Sequence, residues 1–210
     1  MKKRLIIAVS VAAALWFYMF SPWTAGLSNF WITMAVSALV LTGLAVAFSP
    51  GPLPKIERPT FQVAGGIALA MILWGVFWLG DKLSAWMFDF ARPEVDSIYA
   101  MKTGLSPAVI AALLLLVIGP AEEFFWRGYV QRSLVILFGR SRNPEDLAFI
   151  ITAAVYALVH IWSLNFMLVM AALVAGVVWG FLYRLCPKAL PALIVSHALW
   201  DALVFVWLPI

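Results

Sequence analysis

The sequence predicts an all-α fold: a polytopic membrane helical bundle of about seven transmembrane helices, with a kinked, motif-bearing fourth helix. Three observations predict it. The 210 residues are 65% hydrophobic and 11% charged, with a mean hydropathy of +1.00, whereas an ordinary soluble domain is about 25% charged. Apolar stretches long enough to cross a bilayer follow one another along the whole chain, separated by short connectors. Finally, Gly119-Pro120-Ala121-Glu122-Glu123-Phe124-Phe125-Trp126-Arg127 sets two carboxylates and a guanidinium inside an otherwise apolar run from Ala108 to Phe138, whose other exceptions are Gln131 and Arg132 near its end. Charged groups are costly in lipid, so these should face the protein interior and pair there.

The elements follow in order. Lys2-Lys3-Arg4 and the apolar stretch Leu5 to Phe20 read as a retained first helix, although a basic start and a short apolar core also suit a signal peptide. Segment two runs from about Asn29 to Phe48 and stops at the proline-rich Ser49 to Pro54. Segment three runs from about Phe61 to Gly80. Residues 81 to 104 mix Asp81, Lys82, Asp89, Arg92, Glu94, Asp96 and Lys102 with Trp86, Met87, Phe88 and Phe90, the pattern of an interfacial amphipathic piece followed by a loop. Ser106-Pro107 is an N-cap with proline at the first helical position, opening segment four. Pro120 should kink that helix and free a backbone carbonyl. Segments five, six and seven run from about Leu147 to Trp162, Phe166 to Tyr183 and Ala189 to Leu208.

Seven spans assign the connectors alternately to two sides. One side collects Lys2, Lys3, Arg4, Lys55, Arg58, Arg140, Arg142, Arg184 and Lys188, and the other Lys82, Arg92 and Lys102. Basic connectors stay in the cytoplasm, which predicts an N-terminus inside and a C-terminus outside. The net charge of +4 is thereby explained by topology and implies no nucleic-acid partner. The partner expected from composition is the lipid bilayer. A single cysteine, Cys186, excludes an intramolecular disulfide and reads as a small packing residue near a helix end. Gly176 and Gly180 form a small-xxx-small step for close helix packing. The chain divides into N-terminal helices plus the interfacial segment (1–104) and a polar-motif core (105–210), within one membrane domain.

The polar residues inside the spans form a set. On a helix, Glu123 and Arg127 share a face and pair readily, while Glu122 points roughly 100° away. One acid can be held by the arginine while its neighbour looks into a different space. Tyr156 and His160 lie one turn apart on segment five, and His197 and Asp201 one turn apart on segment seven. At about 1.5 Å per residue, their depths are compatible with one layer in the membrane. There is no glycine-rich phosphate loop and no serine-nucleophile motif; Ser196 beside His197 diverges from it on a helix. What remains is a carboxylate and imidazoles able to activate water, with donors for an oxyanion, an inventory that fits amide hydrolysis within the membrane.

Glu-Glu-x-x-x-Arg (Glu122, Glu123, Arg127), Tyr-x-x-x-His (Tyr156, His160) and His-x-x-x-Asp (His197, Asp201), in that order on separate helices, resemble the CPBP family of CAAX-protease and bacteriocin-processing membrane proteins, also called the Abi family. The resemblance covers roughly Ser106 to Leu208. It implies a glutamate-dependent intramembrane endopeptidase acting on a membrane-protein, lipidated or peptide substrate. No cofactor is expected, and the short connectors without basic targeting tails favour a prokaryotic inner membrane. Glu122 with His160 would activate water, His197 and Asp201 would lie where the oxyanion is stabilised, and Glu123, Arg127 and Tyr156 would support the motif. Two positions depart from the family pattern. Tyr156 stands where phenylalanine is usual and adds a hydroxyl; Asp201 stands where asparagine is frequent. An ionised aspartate cannot donate to an oxyanion, so Asp201 is either protonated or, as we prefer, orients His197 and charges it as the donor. Two other classes stay open: a zinc peptidase using the same Glu, His and Asp groups, though without a His-Glu-x-x-His pair, and a non-enzymatic transporter or immunity protein with a buried polar site.

Overall fold

A computed structural model describes residues 1–210, and every regular element in it is helical. The helices are α1 (Lys2–Phe20), α2 (Phe30–Ala47), α3 (Pro59–Met87), α4 (Ala91–Ala100), α5 (Pro107–Leu137), α6 (Pro144–Ser163), α7 (Phe166–Leu185) and α8 (Pro187–Trp207). All but α4 are long and apolar enough to cross a membrane, which makes seven spans in an integral membrane protein. Their starts are chemically marked. The side-chain oxygens of Asn29, Ser106 and Asn165 accept from the backbone N–H of Ile32, Val109 and Leu168, satisfying donors that a helix start leaves unpaired.

The third span departs from expectation. It does not end near Gly80 but continues as helix to Met87, so the amphipathic interfacial piece is α4 alone. Asp81 explains the extension. Its buried carboxylate accepts from Lys82 Nζ at 3.0 Å and from Arg92 Nη1 at 3.1 Å. A charge neutralised in this way need not leave the helix to find water. Cys186 also differs from expectation: it caps α7 at a helix end, but it is exposed instead of packed.

Around Pro120 the helix stays continuous and changes its winding. Residues Leu114–Ile118 and Phe124–Gln131 adopt the wider π form, on either side of an α-helical Gly119–Glu123. A proline crowds the carbonyl four residues back and cannot donate to it. The Gly119 N–H bonds to the Leu114 carbonyl five residues back, so the turn before the proline is widened.

Two apolar cores form. One gathers Trp16, Trp31, Phe125 and Trp126 from α1, α2 and α5, together with residues of α6; the other gathers Leu73, Trp179, Leu193 and Trp200 from α3, α7 and α8. Large apolar side chains such as Leu39, Ile72 and Leu116 remain exposed, as a lipid-facing surface requires.

Candidate active site

Between the two cores lies a cavity of about 420 Å³. Of its 33 lining residues 26 are hydrophobic, and Glu122, His160, His197 and Asp201 are among the few that are not; Tyr156 lines it as well. Three helices distant in sequence therefore turn their polar side chains toward one space in an apolar surround.

Glu122 and Glu123 are both buried but have different partners. Glu123 Oε1 accepts from Arg127 Nη1 at 2.8 Å and from His197 Nδ1–H at 2.9 Å. Arg127 is fully buried; its Nη2 donates to the Gly176 carbonyl at 3.2 Å, and the guanidinium lies over the rings of Tyr156 and Trp179. A Cβ at Gly176 would sit 3.0 Å from the Tyr156 ring, so the glycine lets α7 pack tightly against α6 at this point. The next position of the small-residue step, Gly180, accepts from the Gln131 amide at 2.9 Å. The step thus packs α7 closely and also offers two carbonyls to the polar residues of α5.

Glu122 faces the cavity. Its Oε2 accepts from the Tyr156 hydroxyl at 3.0 Å. The hydroxyl that separates Tyr156 from the family's usual phenylalanine is thus bonded to the site carboxylate. Glu122 Oε1 takes no hydrogen bond from the protein.

His160 sits where α6 tightens into a 3₁₀ turn, Val159–Ser163. Ser163 Oγ donates to the His160 carbonyl at 2.7 Å and accepts from the Asn165 N–H, closing that turn. The ring is held at both nitrogens. The Tyr156 carbonyl, 2.8 Å from Nδ1, can only accept, and the Trp16 indole N–H, 3.1 Å from Nε2, can only donate. His160 is therefore the neutral tautomer protonated at Nδ1. On α8, His197 stacks on Trp179 with ring centroids 3.9 Å apart. Asp201 Oδ2 lies 3.5 Å from His197 Nε2, beyond ordinary hydrogen-bond distance, so the two carboxylates Glu123 and Asp201 flank the ring from opposite nitrogens. Ser196 points elsewhere and accepts from Trp179 Nε1 at 3.1 Å.

Trp16 and Trp179 were not among the residues singled out from sequence. Trp16 lies near the end of its span, where tryptophan reads as an interface anchor, and its partner is 144 residues away. The His, Cys, Asp and Glu side chains form no group of three with the spacing a metal ion needs.

Residues 104–203 match the family model of the type II CAAX prenyl endopeptidases, Rce1-like. The match spans α5 to most of α8 and takes in every motif residue from Glu122 to Asp201, so the resemblance drawn from the three motifs holds over that stretch. No curated protein and no solved structure matches the chain. An endopeptidase family core set among seven apolar spans gives the coarse assignment, a membrane endopeptidase.

Proposed function

We propose, on the premise that residues 104–203 are a type II CAAX prenyl endopeptidase core, that the protein hydrolyses a peptide bond of a membrane-associated protein or peptide by glutamate-activated water. The observation that carries this reading is the shared cavity: Glu122, Tyr156, His160, His197 and Asp201 line one apolar space.

In the proposed reaction, Glu122 takes a proton from water at its unbonded Oε1. The hydroxide oxygen bonds to the scissile carbonyl carbon, and the carbonyl oxygen becomes the oxyanion. Collapse breaks the C–N bond, Glu122 returns the proton to the departing nitrogen, and the water oxygen remains in the new carboxyl group. The Tyr156 hydroxyl keeps Oε2 occupied and so orients the base. His197, oriented by Glu123 and charged by Asp201, serves as the oxyanion donor through Nε2. The resemblance pairs His160 with Glu122 in activating water. The hydrogen bonds favour a bracing share for it, since Nδ1–H holds the Tyr156 carbonyl while Nε2 is engaged by Trp16. Arg127 balances Glu123 and holds it in place. No metal is assigned a role; cleavage should persist in a strong chelator. We place the protein in a prokaryotic inner membrane, with a membrane-anchored or leader peptide as substrate.

The test compares protein termini in membranes of cells carrying the wild-type chain or Glu122→Gln. A set of termini present with the wild type and missing with Glu122→Gln is expected. Identical termini in both, with the two proteins equally abundant, would overturn the proposal.

A further inference from the structure

The cavity occupies one end of the bundle. Its wall is built from the ends of α1 and α3, the starts of α2, α5 and α7, the inner side of α4, and the ends of α6 and α8. Phe20, Ser84, Tyr99, Phe166 and Ile210 mark this end. The opposite ends of the same helices contribute nothing to the wall and carry the basic connectors. Glu122 lies at the middle of the 31-residue α5, and the other lining residues lie from about that depth toward the α4 end.

Charge separates the two ends further. The α4 end carries three basic residues: Lys82 and Arg92 pair with Asp81 and Asp96, and Lys102 lies over the Tyr99 ring without a carboxylate partner. At the opposite end Arg184 pairs with Asp146 and Lys188 with Glu57, whereas Lys2, Lys3, Arg4, Lys55, Arg58, Arg140 and Arg142 have no carboxylate partner. Lys and Arg in short connectors hold those connectors in the cytoplasm during insertion, and nearby Asp or Glu changes this little, so nine basic residues against three orient the bundle.

We infer that the cavity is entered from the non-cytoplasmic side, and that its substrate is a peptide segment with the scissile bond in the outer half of the bilayer. Such a segment belongs to an inserted or translocated protein, not to one that approaches the membrane from the cytoplasm. The inference rests on the peptidase reading for its substrate class, but access can be measured without activity. Cys186, exposed between α7 and α8 at the basic end, is the chain's single cysteine and a built-in reporter.

In spheroplasts, a membrane-impermeant maleimide should leave Cys186 unlabelled until lysis. With Cys186→Ser as background, Asp89→Cys on the exposed α3–α4 connector and Ser84→Cys in the cavity wall should label before lysis. Labelling of Cys186 before lysis, with Asp89→Cys and Ser84→Cys reached only afterwards, would overturn the inference. The Glu122-dependent termini should also map to the non-cytoplasmic half of the substrate's membrane segment; mapping to the cytoplasmic half would overturn it as well. Termini that do not depend on Glu122 would refute the peptidase reading instead, leaving the labelling pattern to decide access alone.

Discussion

At the scale of single residues, the site is organised by which atoms are already engaged. Trp16 N–H, His160 and the Tyr156 carbonyl form one chain, and the Tyr156 hydroxyl carries the constraint on to Glu122. A bracing histidine can be replaced by another neutral side chain with one donor and one acceptor; an acid–base histidine cannot. His160→Gln should therefore keep cleavage within about tenfold of wild type, the equivalent of roughly one neutral hydrogen bond, whereas His160→Ala should lose far more. Loss of all turnover in His160→Gln, with its melting profile unchanged, would return the proton-transfer role to His160. Tyr156→Phe should lower kcat with KM unchanged, because it removes the hydroxyl from the Glu122 carboxylate and keeps the ring that lines the cavity; a wild-type kcat would leave the hydroxyl without a function. The motif residues themselves were legible in the sequence, since ionisable groups inside apolar spans stand out. Trp16 and Trp179 were not, because an indole is compatible with lipid, core and interface alike and only its partner distinguishes them.

At the scale of elements, α5 combines an unpaired-carboxylate risk with a helix crossing. Arg127 and Glu123 are both fully buried, so Arg127→Ala leaves a carboxylate without its main counter-charge. A loss of about 3–5 kcal/mol is expected, read as a lower thermal midpoint in detergent; an unchanged midpoint would mean that His197 alone suffices. Gly119 is where α5 meets α8: a Cβ there would lie 2.5 Å from Ala198 Cα and 2.8 Å from its nitrogen, backbone atoms that cannot yield. Gly119→Ala should thus separate Glu122 from His197 and abolish cleavage, while Gly43→Ala, which meets nothing within 4 Å, should be silent. Equal activity in the two variants would contradict the crossing. The sequence marked Pro120 as a disturbance, and the disturbance takes the form of π turns, a choice set by neighbours that no local pattern records. The length of α3 was misjudged for a related reason. Asp81 read as the start of a connector because its neutralising partner, Arg92, lies eleven residues further on.

At the scale of the whole molecule, composition determined the membrane bundle and the number of spans, since no other fold accommodates so apolar a chain. The meeting of the polar groups was foreseeable only as similar depth; their convergence on one cavity depends on the rotation of each helix. The wall of that cavity also shows that the N-terminal helices, outside the family match, complete the site, because Phe20, Trp31 and Met34 line it and Trp16 holds His160.

The most direct measurement is made on purified protein in lipid vesicles containing a membrane peptide identified from the cellular termini, comparing wild type, Glu122→Gln and wild type in excess chelator. Cleavage by wild type with and without chelator, and none by a Glu122→Gln protein with an unchanged melting profile, is the predicted result. Cleavage by Glu122→Gln, or its loss on chelation alone, would contradict water activation by the Glu122 carboxylate.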